Sequence, residues 1–356
     1  MSSFTFESQA SRVVFGSGCL AQLSVELDRL EAQRVMLVSS EGRSEMAEKA
    51  TSSAGGRIVE TFDQAVPHVP QHVAHGAREA AASSNADCIV ALGGSSAIGV
   101  AKAVALETPI TIVAIPTTYA GSEMTPIWGL TREGRKETGR NPRVQPRVVM
   151  YDPVLTLGLP SKVTASSGLN AIAHCIEALY ATDANPLTSS AALEGLKLLA
   201  RALPRLAAQP TDQDQREVAL KGAWLAGFSL GTVQMALHHK LCHTLGGTFD
   251  LRHADTHAVL IPYTAAYNRE FAAEAMKSAA MALGVEDAPT ELLSISKTIE
   301  APQSLREIGM KEEDIDVAAD LAVERQYPNP RPVAREDVRA LLVAAWSGDA
   351  DYVRAG

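Results

Sequence analysis

What this sequence has little of is positive charge: 32 lysines and arginines stand against 41 aspartates and glutamates, a net charge of -9. Nucleic acids and anionic membrane surfaces bind through arrays of cations, so neither is an expected partner. The nearest approach to a basic patch, Arg132, Arg135, Lys136, Arg140, Arg143 and Arg147, suits either a small anionic ligand or a solvated loop. Long apolar runs are also missing, and none approaches the roughly 20 residues that a membrane-spanning helix needs. The opening MSSFTFESQASRVVF carries neither the basic nor the apolar stretch of a secretory signal, so a cytoplasmic chain is expected. Cysteine is scarce too. Cys19, Cys88, Cys175 and Cys242 lack the paired spacing of metal fingers, sit mostly in apolar contexts, and read as reduced core thiols.

What is present is enough apolar residue, 46% of 356, to bury a large core in two domains rather than one. Runs of strand length at 34–39, 57–62, 87–92 and 111–115 alternate with helical patterns at 19–31, 44–54, 72–84 and 96–106. Largely apolar strands such as RVMLVS suit a sheet buried on both faces, and the alternation predicts an α/β unit with a mostly parallel sheet. Residues 127–152 read as a hairpin, IWGLT and RVVMYD joined by a charged, glycine-containing loop. From Ser161 onward the pattern changes to Ala- and Leu-rich helices at 168–181, 189–207, 216–230 and 269–283. A boundary near residue 157 therefore divides an α/β domain, 1–157, from an all-helical domain, 158–356. Neither an internal repeat nor a low-complexity linker separates them.

The strand at 87–92 runs into GGSSAIGVAK, residues 93–102. Glycines let a backbone approach an anion closely, and a helix beginning at Ser95 or Ser96 offers free N–H groups and the positive end of its dipole. A phosphate or pyrophosphate at the carboxyl edge of the sheet fits that turn, where open α/β sheets bind their ligands. An ordinary strand–helix turn fits it as well. Thr117, Thr118 and Tyr119 follow the next strand at the same edge, and their hydroxyls can reach the same ligand.

Five of the nine histidines fall within residues 236–262, ALHHKLCHTLGGTFDLRHADTHAVLIP. A helix over 236–245 puts His239 and His243 on one face, with Gly246 and Gly247 closing it. A second helical run over 258–263 follows His253 and His257, again four apart. Imidazole is the usual acid–base group near neutrality and a common metal ligand, so a catalytic or ligand cluster is the functional reading and a structural histidine cluster the alternative. In GLNAIAHCIEALYA, Asn170 and His174 share one face of an otherwise apolar helix and should both point inward, where a polar group needs a partner.

Taken together, GGSSAIGVAK, AIPTTYAGSEMTPIWGLT, the YDP at Tyr151, GLNAIAHCIEALYA, HHKLCHTLGGTFDLRHAD and the NPRP at Asn329 resemble the iron-containing, or group III, alcohol dehydrogenase superfamily, and within it the maleylacetate reductases. The resemblance spans nearly the whole chain and implies a dehydroquinate-synthase-like fold: a nicotinamide-binding α/β domain, then a helical domain, with the active site in the cleft between. It implies cofactor contacts at Gly93, Gly94, Ser95 and Ser96, and at Thr117, Thr118 and Ser122. It puts the superfamily's metal ligands, an Asp and three His, at Asn170, His174, His239 and His253, with a further active-site histidine at His243. Two positions depart from the superfamily pattern, Asn170 for the aspartate and Gly99 for an aspartate of the phosphate turn. A neutral amide leaves a divalent cation without its anionic ligand, so no metal is expected.

The branch also implies a chemistry that needs none. Maleylacetate offers an alkene conjugated to a ketone, so hydride from NADH or NADPH adds to carbon and leaves an enolate. Hydrogen-bond donors suffice to stabilise that oxygen. His243, with His239 or His174, is expected to polarise the ketone, and an imidazole or water to protonate carbon. Tyr119, Asn170, Lys136, Arg140, Arg325 and Arg331 are the candidates for holding a small dicarboxylate, with a structural salt bridge as the alternative for Arg331. Ser40, just past RVMLVS, stands where NAD-selective relatives place an aspartate, so use of both NADH and NADPH is expected. A homodimer is implied as well. The rival readings are a metal-dependent alcohol dehydrogenase, a dehydroquinate-synthase-type lyase, and a nucleotide-binding sensor without turnover.

Overall fold

The computed structural model describes residues 4, 6, 11–133 and 135–355, and of Arg135 the backbone only. The chain forms two compact units, Ser8–Leu159 and Pro160–Gly356, the latter joined by Phe4 and Phe6. The division falls at the Leu159-Pro160 step, which opens the first long helix of the second unit.

The first unit alternates strand and helix: β1 (Arg12–Phe15), α1 (Leu23–Arg29), β2 (Val35–Val38), α2 (Ser44–Ser53), β3 (Ile58–Phe62), α3 (Gln71–Ser83), β4 (Cys88–Gly93), α4 (Ser95–Glu107) and β5 (Thr111–Pro116), then β6 (Ile127–Arg132), β7 (Arg135–Arg140) and β8 (Val148–Tyr151). Six strands form one parallel sheet in the order β1-β8-β5-β4-β2-β3. Successive residues of β2 and β4 are all buried, so the sheet is covered on both faces, as the unbroken apolar runs predict. The chain leaves β2 in one direction for β3 and returns on its other side as β4. That reversal opens a crevice at the carboxyl ends of β2 and β4, the usual ligand position of such sheets.

The expected hairpin is corrected by the structure. β6 does turn back on itself, but its partner is β7, RKETGR, inside what reads as a charged loop. RVVMYD instead supplies β8, inserted between β1 and β5. The charged return strand belongs to a two-stranded ribbon outside the main sheet, so it needs no alternating apolar residues. Its small residue is its register mark: a Cβ on Gly139 would lie 2.8 Å from the Trp128 ring, which occupies that place. Four-residue β8 is wholly buried and therefore apolar throughout.

Lys102, the last residue of GGSSAIGVAK, is buried in α4 rather than offered to a phosphate. Its Nζ donates to the carbonyls of Ser122, Thr125 and Ile127 at 2.6, 2.7 and 2.8 Å and to Thr125 Oγ1 at 2.9 Å. Burial pushes its pKa down to about 7, against the pull of nearby Glu123. These oxygens tie α4 to the start of the β6–β7 ribbon. On the same helix Gly99 explains why the superfamily's aspartate is missing: an added Cβ would meet Val69 Cγ2 at 2.7 Å. Gly99→Asp is expected to destabilise the first unit by about 2–3 kcal/mol through overpacking and a crowded carboxylate. A thermal melt of the purified variant checks this; an unchanged transition would show that Val69 gives way.

The second unit is helical throughout its described residues: α5 (Ser161–Leu179), α6 (Pro186–Ala208), α7 (Gln213–Thr232), α8 (Leu237–Phe249), α9 (His253–Asn268), α10 (Ala273–Leu283), α11 (Ala288–Thr298), α12 (Asp314–Val323), α13 (Arg335–Ser347) and α14 (Ala350–Arg354). None of the described helices is both long and apolar enough to cross a membrane. α5 is buried on every side from Thr164 to Ala178, which makes it the axis of the unit. Leu237, Leu241 and Leu245 of α8, Leu260 and Tyr263 of α9 and Leu341 and Leu342 of α13 share one apolar cluster. Two helix boundaries differ from expectation. Gly246 and Gly247 do not close α8, which runs to Phe249 and stops at Asp250 in a left-handed conformation with φ 54°. His253 and His257 do not precede α9 but form its first turns.

Candidate active site

Three helices of the second unit bring six histidines together: His174 on α5, His238, His239 and His243 on α8, and His253 and His257 on α9. Their neighbours follow from helical spacing. His238 and Cys242 share one face of α8, His239 and His243 the next, and His253 stands one turn before His257.

The anchor of the group is Glu177, one turn beyond His174 on α5 and fully buried. Its carboxylate accepts from the backbone N–H groups of His238 at 2.8 Å, Ala236 at 3.1 Å and His239 at 3.4 Å. A helix begins with N–H groups that lack intrahelical partners, and its dipole favours an anion there. No side chain of α8 caps it, so Glu177 supplies the cap from α5. The same carboxylate takes the Nδ1–H of His239 at 2.5 Å. His239 Nε2 is thereby left to accept from His174 Nδ1 at 2.9 Å.

A second file of histidines runs alongside. His257 Nδ1 lies 2.8 Å from His238 Nε2, His257 Nε2 lies 3.1 Å from His253 Nε2, and His238 Nδ1 lies 2.9 Å from Thr264 Oγ1. His257 is the hub, with ring centroids 4.8 Å from His239 and 5.9 Å from His174. Burial, reinforced by the neighbouring imidazoles, holds the pKa of both His238 and His257 well below the ordinary histidine value. His243 and His253 are the partly exposed members, stacked with centroids 5.6 Å apart. Their exposure sets them apart from the four buried histidines, although the Nδ1 atom of His253 is itself buried.

The structure thus gathers His174, His239, His243 and His253 as expected and adds Glu177, His238 and His257. The missed carboxylate had a signal: Glu177 follows Asn170 and His174 at spacings of seven and three on one helix face. Asn170 lies in the interior as predicted, and its Oδ1 is buried without a hydrogen-bond partner. Two candidates for binding carboxylates are corrected. Arg331 pairs with Asp337 at 3.1 Å and stacks on the Tyr267 ring at 4.4 Å, the structural alternative. Tyr119 is fully buried. Arg325 is exposed, while Lys136 and Arg140 lie on β7 of the first unit.

The superfamily's metal positions lack their anionic ligand, which weakens the fit to a divalent cation. Asn170 offers only a neutral oxygen where the superfamily has a carboxylate, while Glu177 holds His239 Nδ1 and His239 Nε2 faces His174 Nδ1 at 2.9 Å. Another trio, His238, Cys242 and His257, has its ligand atoms within 4.8 Å of one another. Its two ring nitrogens lie 2.8 Å apart, a hydrogen-bond distance, closer than the roughly 3.3 Å that tetrahedral zinc at about 2.0 Å from each would set.

A nicotinamide dinucleotide, by contrast, has a matching cradle in the first unit. Gly93 holds φ at 146°, and α4 starts at Ser95 without a side-chain cap, leaving its first N–H groups for a phosphate. A Cβ on Gly94 would meet Thr118 Cγ2 at 3.0 Å, tighter than ordinary van der Waals contact, so any side chain there would crowd that threonine. Thr117 Oγ1 is buried without a partner, and Ser122 is held through its carbonyl by Lys102. A 560 Å³ cavity follows β2 and β3, lined by Ser39, Ser40, Arg43, Ser44 and Asp63 among others. Arg43 escaped the sequence reading because nothing in one sequence says which residue after a strand turns into a cavity.

A parallel sheet with a helix-borne phosphate cradle, and a helical unit holding an imidazole array, define a nicotinamide-dependent oxidoreductase of the dehydroquinate-synthase-like fold. Residues 10–153 match the iron-containing alcohol dehydrogenase family, and residues 164–346 match its C-terminal region. The chain belongs to that family. It is 50% identical to a maleylacetate reductase of Burkholderia cepacia, over 98% of this chain and 99% of that protein. Among solved structures, a Ralstonia eutropha JMP134 protein described as an alcohol dehydrogenase superposes with a TM-score of 0.97 at 48% identity, covering 98% of this chain and 99% of that one. Agrobacterium tumefaciens maleylacetate reductase superposes with a TM-score of 0.93 at 44% identity and the same coverage.

Proposed function

We propose that this protein uses NADH or NADPH to reduce the conjugated double bond of maleylacetate to 3-oxoadipate, a step in the degradation of aromatic compounds, without a metal. The observation that carries this reading is Asn170, a buried amide one turn before His174 whose Oδ1 has no hydrogen-bond partner, at the position of the superfamily's carboxylate. The amide replaces the ligand that an alcohol dehydrogenase needs, and the histidines beside it are paired with one another. The maleylacetate reductases among its relatives point the same way.

Bound nicotinamide supplies the hydride. His243, partly exposed, serves the oxygen and donates a hydrogen bond to the ketone as the enolate forms, with His253 stacked against it and a water returning the proton to carbon. The enolate spreads its charge over carbon and oxygen, so its stabilisation falls within the reach of hydrogen bonds. Lys136 and Arg140 are the remaining candidates for the substrate carboxylates.

The test is nicotinamide oxidation with maleylacetate by chelator-treated protein. Activity without metal, none on small alcohols, and a fall in turnover of at least about a hundredfold in His243→Ala with unchanged KM for NADH are expected. Activity restored only by iron or zinc, or seen only with alcohols, would return the protein to the alcohol dehydrogenase chemistry of its family.

Cofactor choice is read from the cavity beyond β2. Ser40 brings no carboxylate to repel a 2′-phosphate, and Arg43 brings a cation to attract one, with Asp63 opposing it. Arg43→Ala should raise KM for NADPH about tenfold and leave NADH unaffected, the loss of one exposed charge-assisted contact. Equal changes for both cofactors would remove Arg43 from 2′-phosphate recognition.

A further inference from the structure

The hydrogen bonds around His257 have a direction that a single hydroxyl decides. Thr264 Oγ1 lies 3.0 Å from the Leu260 carbonyl and 3.3 Å from that of Ile261, one turn back along α9. Two oxygens that close need a proton between them, and a hydroxyl has one. That proton is committed to the helix backbone, so toward His238 Nδ1 at 2.9 Å the threonine can only accept. His238 therefore carries its proton on Nδ1 and presents a lone pair at Nε2.

The order then propagates. A neutral imidazole has one donor and one acceptor nitrogen. His257 meets the lone pair of His238 at 2.8 Å and must donate from Nδ1, which leaves its Nε2 as an acceptor. His253, 3.1 Å from that acceptor, must donate from Nε2. The Cys242 thiol, 3.7 Å from His238 Nε2, approaches the same nitrogen as a second, weaker donor and agrees with this order. His238 and His257 are fully buried, so water does not compete for their nitrogens.

We propose that Thr264 is a positioning residue, which acts through His238 and His257 to fix the tautomer and ring orientation of His253. Thr264 touches none of the reacting atoms. The proposal rests on the reading of His253 as part of the active site. Its consequence is that His253 is held with its proton on Nε2, directed toward His257, and with the lone pair on its Nδ1, a buried atom. Without the threonine hydroxyl, the His238 Nδ1–H has no acceptor and the whole file is released to reverse: His238 donating from Nε2, His257 from Nε2, and His253 carrying its proton on Nδ1.

The test is Thr264→Val, which keeps the shape and removes the hydroxyl, read by nitrogen-15 NMR of the histidine rings in the full-length protein, where protonated and bare ring nitrogens resonate far apart. The expected result is exchange of the protonated nitrogen in His238, His257 and His253, a fall in turnover with maleylacetate on the order of a hundredfold, little change in KM for NADH, and recovery of both spectrum and turnover in Thr264→Ser. Thr264→Ala makes the same test should the valine variant fail to fold. Ring spectra identical to the parent overturn the proposal, and so does a reversed file with undiminished turnover. Failure of the reductase reading is separate, and shows as a parent protein that does not oxidise NADH with maleylacetate.

Discussion

Glu177→Gln is expected to lower the stability of the second unit by about 3 kcal/mol, a drop of about 6–12 °C in its melting transition. The carboxylate accepts from three backbone N–H groups at the head of α8 and from His239 Nδ1. A carboxylate has acceptors on both oxygens, whereas glutamine turns one of them into an NH2 donor facing other donors. The site is fully buried, so water cannot repair the mismatch. Turnover should fall with it, because His239 loses the partner that fixes its tautomer toward His174. Calorimetry of the variant beside Glu177→Asp, which keeps the charge and shortens the reach, separates lost charge from lost geometry. An unshifted transition would mean that α8 finds another cap.

The second large effect is acid sensitivity. Burial and neighbouring imidazoles keep His238 and His257 neutral in the folded protein, with pKa values well below the ordinary one. In the unfolded chain they take up protons near pH 6.5. Below that pH the unfolded state binds protons that the folded state refuses, so stability is fully present above pH 6.5 and declines as the pH falls. Well below pH 6.5, while both stay neutral in the folded state, two such histidines remove about 3 kcal/mol per pH unit. Urea unfolding at a series of pH values measures the slope, and His257→Asn should halve it. A slope unaltered by that change would place the acid sensitivity elsewhere.

Much of this was legible in the sequence because its causes are local. Unbroken apolar runs marked the buried parallel strands, and four-residue spacings marked the helix faces that carry His239 with His243 and Asn170 with His174. What was missed depends on contacts between distant segments. RKETGR is polar because its ribbon lies outside the main sheet, so no apolar alternation marked it as β7. Gly246 and Gly247 read as a stop, yet the packing of Leu245 and the tertiary cap on α8 carry the helix past them to Phe249. Glu177 sat in plain view on the histidine face, but its role depends on the start of a helix some sixty residues later, 61 positions away at His238. His238 and His257 were counted in the cluster without roles, since only the fold makes them neighbours.

The place of β8 in the sheet bears on how the protein is made. Among the described residues β1 pairs with no strand but β8, and the Ser11 hydroxyl reaches the Pro146 carbonyl 135 residues away. At about 5–20 residues per second, the ribosome needs on the order of ten seconds to supply that partner after β1 emerges. During that interval the growing chain holds an apolar strand, RVVF, with its backbone groups unpaired, while β2 to β5 are free to assemble beside it. The first unit is therefore completed by its last strand, and β1 waits for its partner open to mispairing or chaperone capture during synthesis.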